Sequence, residues 1–253
     1  QEVNVMIDSL RERASMKCKP LTYAPAPWTW LRDGISEGAG IKLIKGYKLK
    51  REAIAAPVLE AVNKLQAVRF VVAQPCVETA RNMLMNASIY KNMDCFDDKE
   101  INKEAFNLYQ EILLYEGKEV HFPITMDTRG RMYYRGGLLT PQGVDFCKAA
   151  FQFAKFKPLG DTGFEAIAIH TANVCGMDKV SINDRISWVR DNIDSGTFAK
   201  VEIFQDVMEL FPNADKFQAT VAILEINRIL AIDSNPALVE SNLVCHQDGT
   251  CNG

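Results

Sequence analysis

The chain has 253 residues, enough for one large domain or two small ones. With 47% apolar and 24% charged residues it has the balance of an ordinary globular protein, which excludes a disordered or fibrous chain. The net charge of −3 supplies no overall attraction to a polyanion, so any affinity for nucleic acid has to come from local patches.

The longest apolar stretch, 221–232, is interrupted by Glu225 and Arg228, well short of the roughly 20 residues that span a bilayer, and no membrane segment is expected. No basic, apolar leader follows Gln1, so no secretory signal is read. The seven cysteines, at 18, 76, 95, 147, 175, 245 and 251, form no C-x-x-C pair and have no histidine at zinc-like spacing, a pattern that fits reduced thiols in a cytoplasmic setting.

In chain order, residues 20–40 are rich in proline and glycine and read as an irregular strap anchored by Trp28 and Trp30. Lys42, Lys45, Lys48, Lys50 and Arg51 then form the densest basic run, either a solvated face or a phosphate contact through Lys42, Lys45 and Lys48. The spacing of Val58, Val62, Leu65 and Phe70, then Val77, Ala80 and Met83, predicts helices interrupted near Pro75. Another helix is expected over 102–116, ended by Gly117. Residues 119–137 hold two short β-prone runs around a turn at Gly130, the pattern of a hairpin. Helices follow at 144–155, 161–174 and 181–193, the last capped by Ser181 or Asn183, and a further one at 215–231 before the loop Asp233-Ser234-Asn235-Pro236. Leu243, Val244 and Cys245 read as a strand entering His246-Gln247-Asp248-Gly249.

Two strings carry chemistry. By itself Asp248-Gly249 after an apolar run is a turn, and Asp127-Thr128-Arg129-Gly130-Arg131 is a charged hairpin tip. Yet Arg129 and Arg131 can fork onto phosphates, Gly130 permits close backbone approach, and Tyr133 offers a ring and a hydroxyl to a nucleotide. His170 alone reads as a structural histidine, and Lys148 and Lys155 as lysines facing either solvent or nucleic acid.

The terminal string His-Gln-Asp-Gly-Thr-Cys-Asn-Gly, 246–253, resembles the first catalytic motif of the single-subunit, phage- and mitochondrial-type RNA polymerases. Residues 127–133 look like the D-x-x-G-R-x-Y element of the same family, and the segments P-Q-G-V-D-F, I-H-T-A-N-V-C-G-M-D-K-V and F-Q-A-T-V-A-I-L-E-I resemble its successive palm segments in order. Upstream, Ala26-Pro27-Trp28-Thr29 resembles its P-W-T element, so the likeness covers most of 25–253.

The resemblance implies an α+β, mainly helical fold of right-hand polymerase architecture, with a reduced thumb and the first part of the palm. It divides the chain into an arm with the basic run (1–54), a helical remnant with a shortened thumb (55–118) and palm (119–253). Nucleotide joining is an in-line phosphoryl displacement served by two magnesium ions about 4 Å apart. The family motif makes Asp248 the catalytic aspartate and a metal ligand, together with the Gly249 backbone carbonyl, while Thr250 supports the turn. It assigns Arg131, Tyr133 and Gly253 to nucleotide and template, and Asp127, Arg129 and Gly130 to the RNA:DNA hybrid.

The sequence stops inside this motif, and the family's fingers helix and second catalytic aspartate are not in it. Either the chain is truncated or partly ordered, or a second polypeptide supplies the rest; the favoured expectation is the smaller, N-terminal subunit of a heterodimeric phage RNA polymerase of the N-four group, located in the host cytoplasm. Its partners would be a second subunit, the DNA template, nascent RNA, NTPs and accessory promoter-recruitment proteins. Unaided initiation on duplex promoters should be poor, which a run-off assay checks. Two alternatives are a non-catalytic scaffolding or nucleic-acid-binding subunit that tolerates Asp248→Asn, and a DNA polymerase of similar palm.

Overall fold

A computed structural model describes residues 19–25, 27–28, 55–85, 107–127, 129–135 and 137–246. The chain is mainly helical with short antiparallel strand pairs. Helix α1 (Ala56–Gln66) precedes strand β1 (Phe70–Val72) and helix α2 (Gln74–Met85). The interruption expected at Pro75 falls earlier, at β1. Pro75 is the second residue of α2, in the first turn, where its missing N–H has no intrahelical partner to lose. Residues 107–113 are helical and the following turn ends at Gly117, as the spacing predicts; 101–106 lie outside the described residues.

Strands β2 (Ile124–Met126) and β3 (Met132–Tyr134) form the expected hairpin, paired Ile124 to Tyr134 and Met126 to Met132. The helix expected over 144–155 is short, α3 (Asp145–Ala149), and gives way to strand β4 (Phe151–Phe153), paired with β1 as Phe70 to Phe153. Helices α4 (Gly160–Val174), α5 (Ile182–Asp194), α6 (Phe204–Leu210) and α7 (Lys216–Ile232) follow. Ser181 is the cap of α5, its hydroxyl accepting from the Asp184 N–H at 3.2 Å. Strand β5 (Lys157–Pro158) pairs with β6 (Glu240–Ser241), so the terminal strand lies two residues upstream of the apolar triplet 243–245 that suggested it. No helix among the described residues is long and apolar enough to cross a membrane.

Three apolar clusters hold these elements. The first gathers Phe70, Phe122, Phe146 and Phe151, with Phe122 meeting Phe151 edge-on at 4.8 Å and Phe146 meeting Phe217 at 5.1 Å. The second surrounds Ile223, Ile226 and Ile229 with Ile167, Val189 and Phe198. The third holds Trp28, Val62, Ile124 and Met126. Trp28 is 3% exposed and donates from Nε1 to the Ile124 carbonyl at 3.0 Å, which ties the upstream strap to the hairpin; Trp30 lies outside the described residues. Helix α7 runs through the first two clusters, with Phe217 and Val221 in one and Ile223, Ile226 and Ile229 in the other, so it is buried on nearly every side.

The N-terminus of α7 is capped from elsewhere in the chain. Asp215, at its N-cap, makes no side-chain capping bond. Asp145 of α3 does so instead, accepting from the Phe217 N–H at 2.9 Å and from the Gln218 N–H and Nε2 at 3.1 Å. Burial pushes the Asp145 carboxyl above its usual value, against the lowering effect of the amides. Asp145→Ala removes three charge-assisted partners, and a loss of about 2 kcal/mol in a urea titration is expected.

Candidate active site

The hairpin tip is organised by Asp127. Its Oδ1 accepts from the Arg129 N–H at 2.9 Å and the Arg131 N–H at 3.0 Å. Its Oδ2 accepts from Arg129 Nε at 3.2 Å, Arg129 Nη2 at 3.1 Å and the Tyr133 hydroxyl at 3.2 Å. These donors, the Arg131 N–H foremost, hold the Asp127 carboxyl below the usual range. Gly130 sits at φ 83°, a conformation that side chains rarely adopt, and lets the chain reverse within the turn. Arg129 is thus occupied within the tip, whereas the exposed Arg131 guanidinium has no partner among the described residues. Gln142 braces the outer strand, accepting from the Tyr134 N–H at 2.8 Å and donating to the Met132 carbonyl at 3.3 Å. Tyr134 packs edge-on against Phe70 and Phe122, seating the hairpin on the first cluster.

The segment 239–246 is fastened at almost every residue. The Leu159 N–H donates to the Val239 carbonyl at 3.0 Å, and Asn242 exchanges two bonds with Phe153 at 2.9 and 2.8 Å. Leu243 and Val244 pack on the first cluster and Cys245 on the second. His246 Nε2 lies 3.1 Å from the Lys148 carbonyl; a carbonyl can only accept, so Nε2 carries the proton. The segment therefore shares the first cluster with Tyr134 of the hairpin. Behind it a cleft of about 530 Å³ is lined by Phe153, Leu159, Leu243 and Cys245, with Arg69, Lys155 and Lys157 among its polar residues. Arg69 is paired with Glu119 at 2.9 Å, and the exposed Lys155 and Lys157 have no ion-pair partner among the described residues.

His170 of α4 is 5% exposed and its ring centre lies 6.4 Å from that of His246. Burial first, and then the neighbouring His246 ring, lower its pKa to about 4, against a hydrogen bond to the His246 main chain. Burial also lowers His246. His170 binds fewer protons folded than unfolded, so its contribution is complete above the unfolded value and is lost as the pH falls from 6.5 through about 4. The loss expected over that interval is about 3 kcal/mol, and His170→Gln should flatten this limb of the stability profile in urea titrations.

Gln247, Asp248, Gly249, Thr250 and Gly253, like Lys42, Lys45 and Lys48, lie outside the described residues. Among the described residues no three His, Cys, Asp or Glu side chains gather as a metal site, and Cys76, Cys147, Cys175 and Cys245 are free thiols.

Residues 157–253 match the family model described as DNA-dependent RNA polymerase, a stretch that runs from β5 through Asp248. This stretch is similar to that family. A DNA-directed RNA polymerase of Pseudomonas phage phiKMV is 36% identical over 151 residues, 60% of this chain and 18% of the relative. The mitochondrial enzyme of Neurospora crassa is 32% identical over 139 residues, 55% of this chain and 10% of the relative. A chloroplastic/mitochondrial enzyme of Arabidopsis thaliana is 30% identical over 135 residues, 53% and 13% of the two chains. These relatives are phage, mitochondrial and chloroplastic/mitochondrial RNA polymerases, and the chain spans less than a fifth of their length.

The residues that sequence reasoning missed are the ones that hold others in place. Asp145, Gln142 and Glu225 act on backbone or hydroxyl groups 72, 8 and 16 residues away. A buried acid in an apolar helix was the one readable signal, at Glu225.

Proposed function

We propose that this chain is part of a DNA-directed RNA polymerase that extends an RNA 3′ end from NTPs on a DNA template, with Asp248 as a catalytic residue. The single observation that carries the reading is the family match through 157–253, which includes the whole Asp248 motif. The structure supports it by fastening 239–246 onto two apolar clusters, so that the chain entering the motif starts from a rigid base.

The Asp248 carboxylate and the Gly249 carbonyl are hard oxygen donors, a set suited to magnesium. Two such ions, when bound, would stabilise the attacking and leaving oxygens of phosphoryl transfer. The protein's own share is positioning and charge. Arg131, whose guanidinium has no partner among the described residues, is a hairpin cation for a phosphate or nucleotide, with Tyr133 beside it. Lys155 and Lys157 are further contacts for the phosphate backbone.

The test is to purify the native complex through a tag on this chain, identify its components by native mass spectrometry, and feed it single-stranded DNA template with either ribo- or deoxyribonucleotides. Template-dependent incorporation of ribonucleotides is expected; incorporation of deoxyribonucleotides alone, or of neither, overturns the proposal. In the same complex Arg131→Ala should weaken binding of an RNA:DNA hybrid about tenfold while moving stability by less than about 0.5 kcal/mol. Fluorescence anisotropy across a salt series checks it, and unchanged binding removes Arg131 from the interface.

A further inference from the structure

Strand β6 leads toward the motif, yet its own pairing is too short to fix where that motif begins. The β5–β6 ladder has two residue pairs, Lys157 with Ser241 and Pro158 with Glu240, and Pro158 has no N–H to give. A slip of one residue would move everything downstream by about 3.4 Å and turn each side chain to the opposite face.

Helix α7 carries the constraint that the ladder lacks. Glu225 is 6% exposed; its Oε1 accepts from Arg228 Nη2 at 2.7 Å and from the Ser241 hydroxyl at 2.6 Å, and its Oε2 accepts from Arg228 Nε at 2.7 Å. Arg228 Nη2 also donates to the Glu240 carbonyl at 2.7 Å, and its guanidinium lies 5.8 Å from the centre of the Phe156 ring, in the turn before β5. The Ser241 hydroxyl in turn accepts from the Leu243 N–H at 3.2 Å. One ion pair thus holds a side chain and a carbonyl of β6 and touches the turn that precedes its partner strand.

We infer that the Glu225 and Arg228 pair is a register clamp for β6, and so a positioning device for the residues that follow it. Glu225 is the buried member of the pair, the Arg228 side chain being 37% exposed; a buried ionic group adds little stability over a well-packed apolar one, and its best-attested use is to select one registry. Both neighbouring registers are opposed here. A slip that brings residue 240 to the place of residue 241 sets the Glu240 carboxylate against Glu225, and either slip separates Asn242 from the two bonds it makes with Phe153. The catalytic consequence, but not the register itself, rests on the function proposed above.

Hydrogen exchange tests the register without any assay of activity. The Phe153 and Leu159 amides donate to Asn242 and Val239 across the clamped segment, whereas the hydrogen bonds of Glu225, Arg228 and Ser241 go to one another, to Glu240 and to Leu243 and not to α5. In Glu225→Gln, Arg228→Lys and Ser241→Ala those two amides should exchange about tenfold faster, while α5 amides stay within about twofold of the parent. Ser241→Thr, which keeps the hydroxyl, should restore the parent rate. Arg228→Lys is expected to fail because an ammonium cannot fork onto both carboxylate oxygens and still reach Glu240. Unchanged exchange, or an equal rise over the whole chain, overturns the clamp; Ser241→Ala, the mildest change, decides if Glu225→Gln does not fold. In the native complex the same variants should lower kcat about tenfold with the KM for NTP unchanged, a split that mere destabilisation does not produce. Parent-like kcat despite faster exchange overturns the positioning role. A parent complex that makes no RNA overturns the polymerase reading instead, and the exchange result still decides the clamp.

Discussion

Asp248→Asn, introduced into the native complex, is expected to lower template-directed RNA synthesis by about a thousandfold or more while leaving assembly and folding unchanged. Replacing the carboxylate by an amide keeps size and shape but removes the negative charge that a divalent cation requires. Metal-assisted stabilisation of transition-state charge supplies several kcal/mol, and each 1.36 kcal/mol is a factor of ten. Because the change is nearly isosteric, the hydrogen bond from His246 to Lys148 and the packing of Leu243 and Val244 should survive. Run-off synthesis at saturating NTP measures the rate, and native mass spectrometry measures assembly. Activity within tenfold of the parent would remove Asp248 from the chemistry and favour a scaffolding role.

Phe151→Ala should destabilise the chain by about 4 kcal/mol, a large part of the 5–15 kcal/mol that holds a typical domain together. Phe151 is 1% exposed and meets Phe122 edge-on at 4.8 Å and Phe70 at 6.3 Å. Truncation opens a cavity in the first cluster and removes both aromatic contacts. For a chain of this size the change corresponds to a fall in Tm of about 8–16 °C. Leu114→Ala, at a side chain 56% exposed, provides the contrast and should shift Tm by less than about 2 °C. Equal shifts for the two would mean that the first cluster is not the load-carrying core.

The two largest effects sit at residues of different legibility. The family likeness of 157–253 was readable because it rests on residue types at fixed spacing, and the hairpin because Gly130 and two β-prone runs mark it locally. Asp127 was readable as part of a motif but not as the centre of the tip, since nothing in the string says that Arg129 folds back onto it. Phe151 was misread as helical. Residues 150–153 have no turn signal on either side, and only the pairing of β4 with β1 makes that stretch extended.

The amino-acid sequence by itself determined the long helices α4, α5 and α7, whose apolar spacing or cap is written within each segment, and the family likeness of 157–253. It likewise determined the turn at Gly130, where a positive φ favours the one residue without a side chain. The tertiary structure alone decided the strands of two or three residues, which have too few side chains to show a period and exist because a distant partner accepts their hydrogen bonds. It also decided that Asp145 caps a helix 72 residues away and that Glu225 grips Ser241. Local free energy is set by neighbours in sequence, but a buried polar group is satisfied by whatever the fold brings within about 3 Å, and that identity is not encoded next to it.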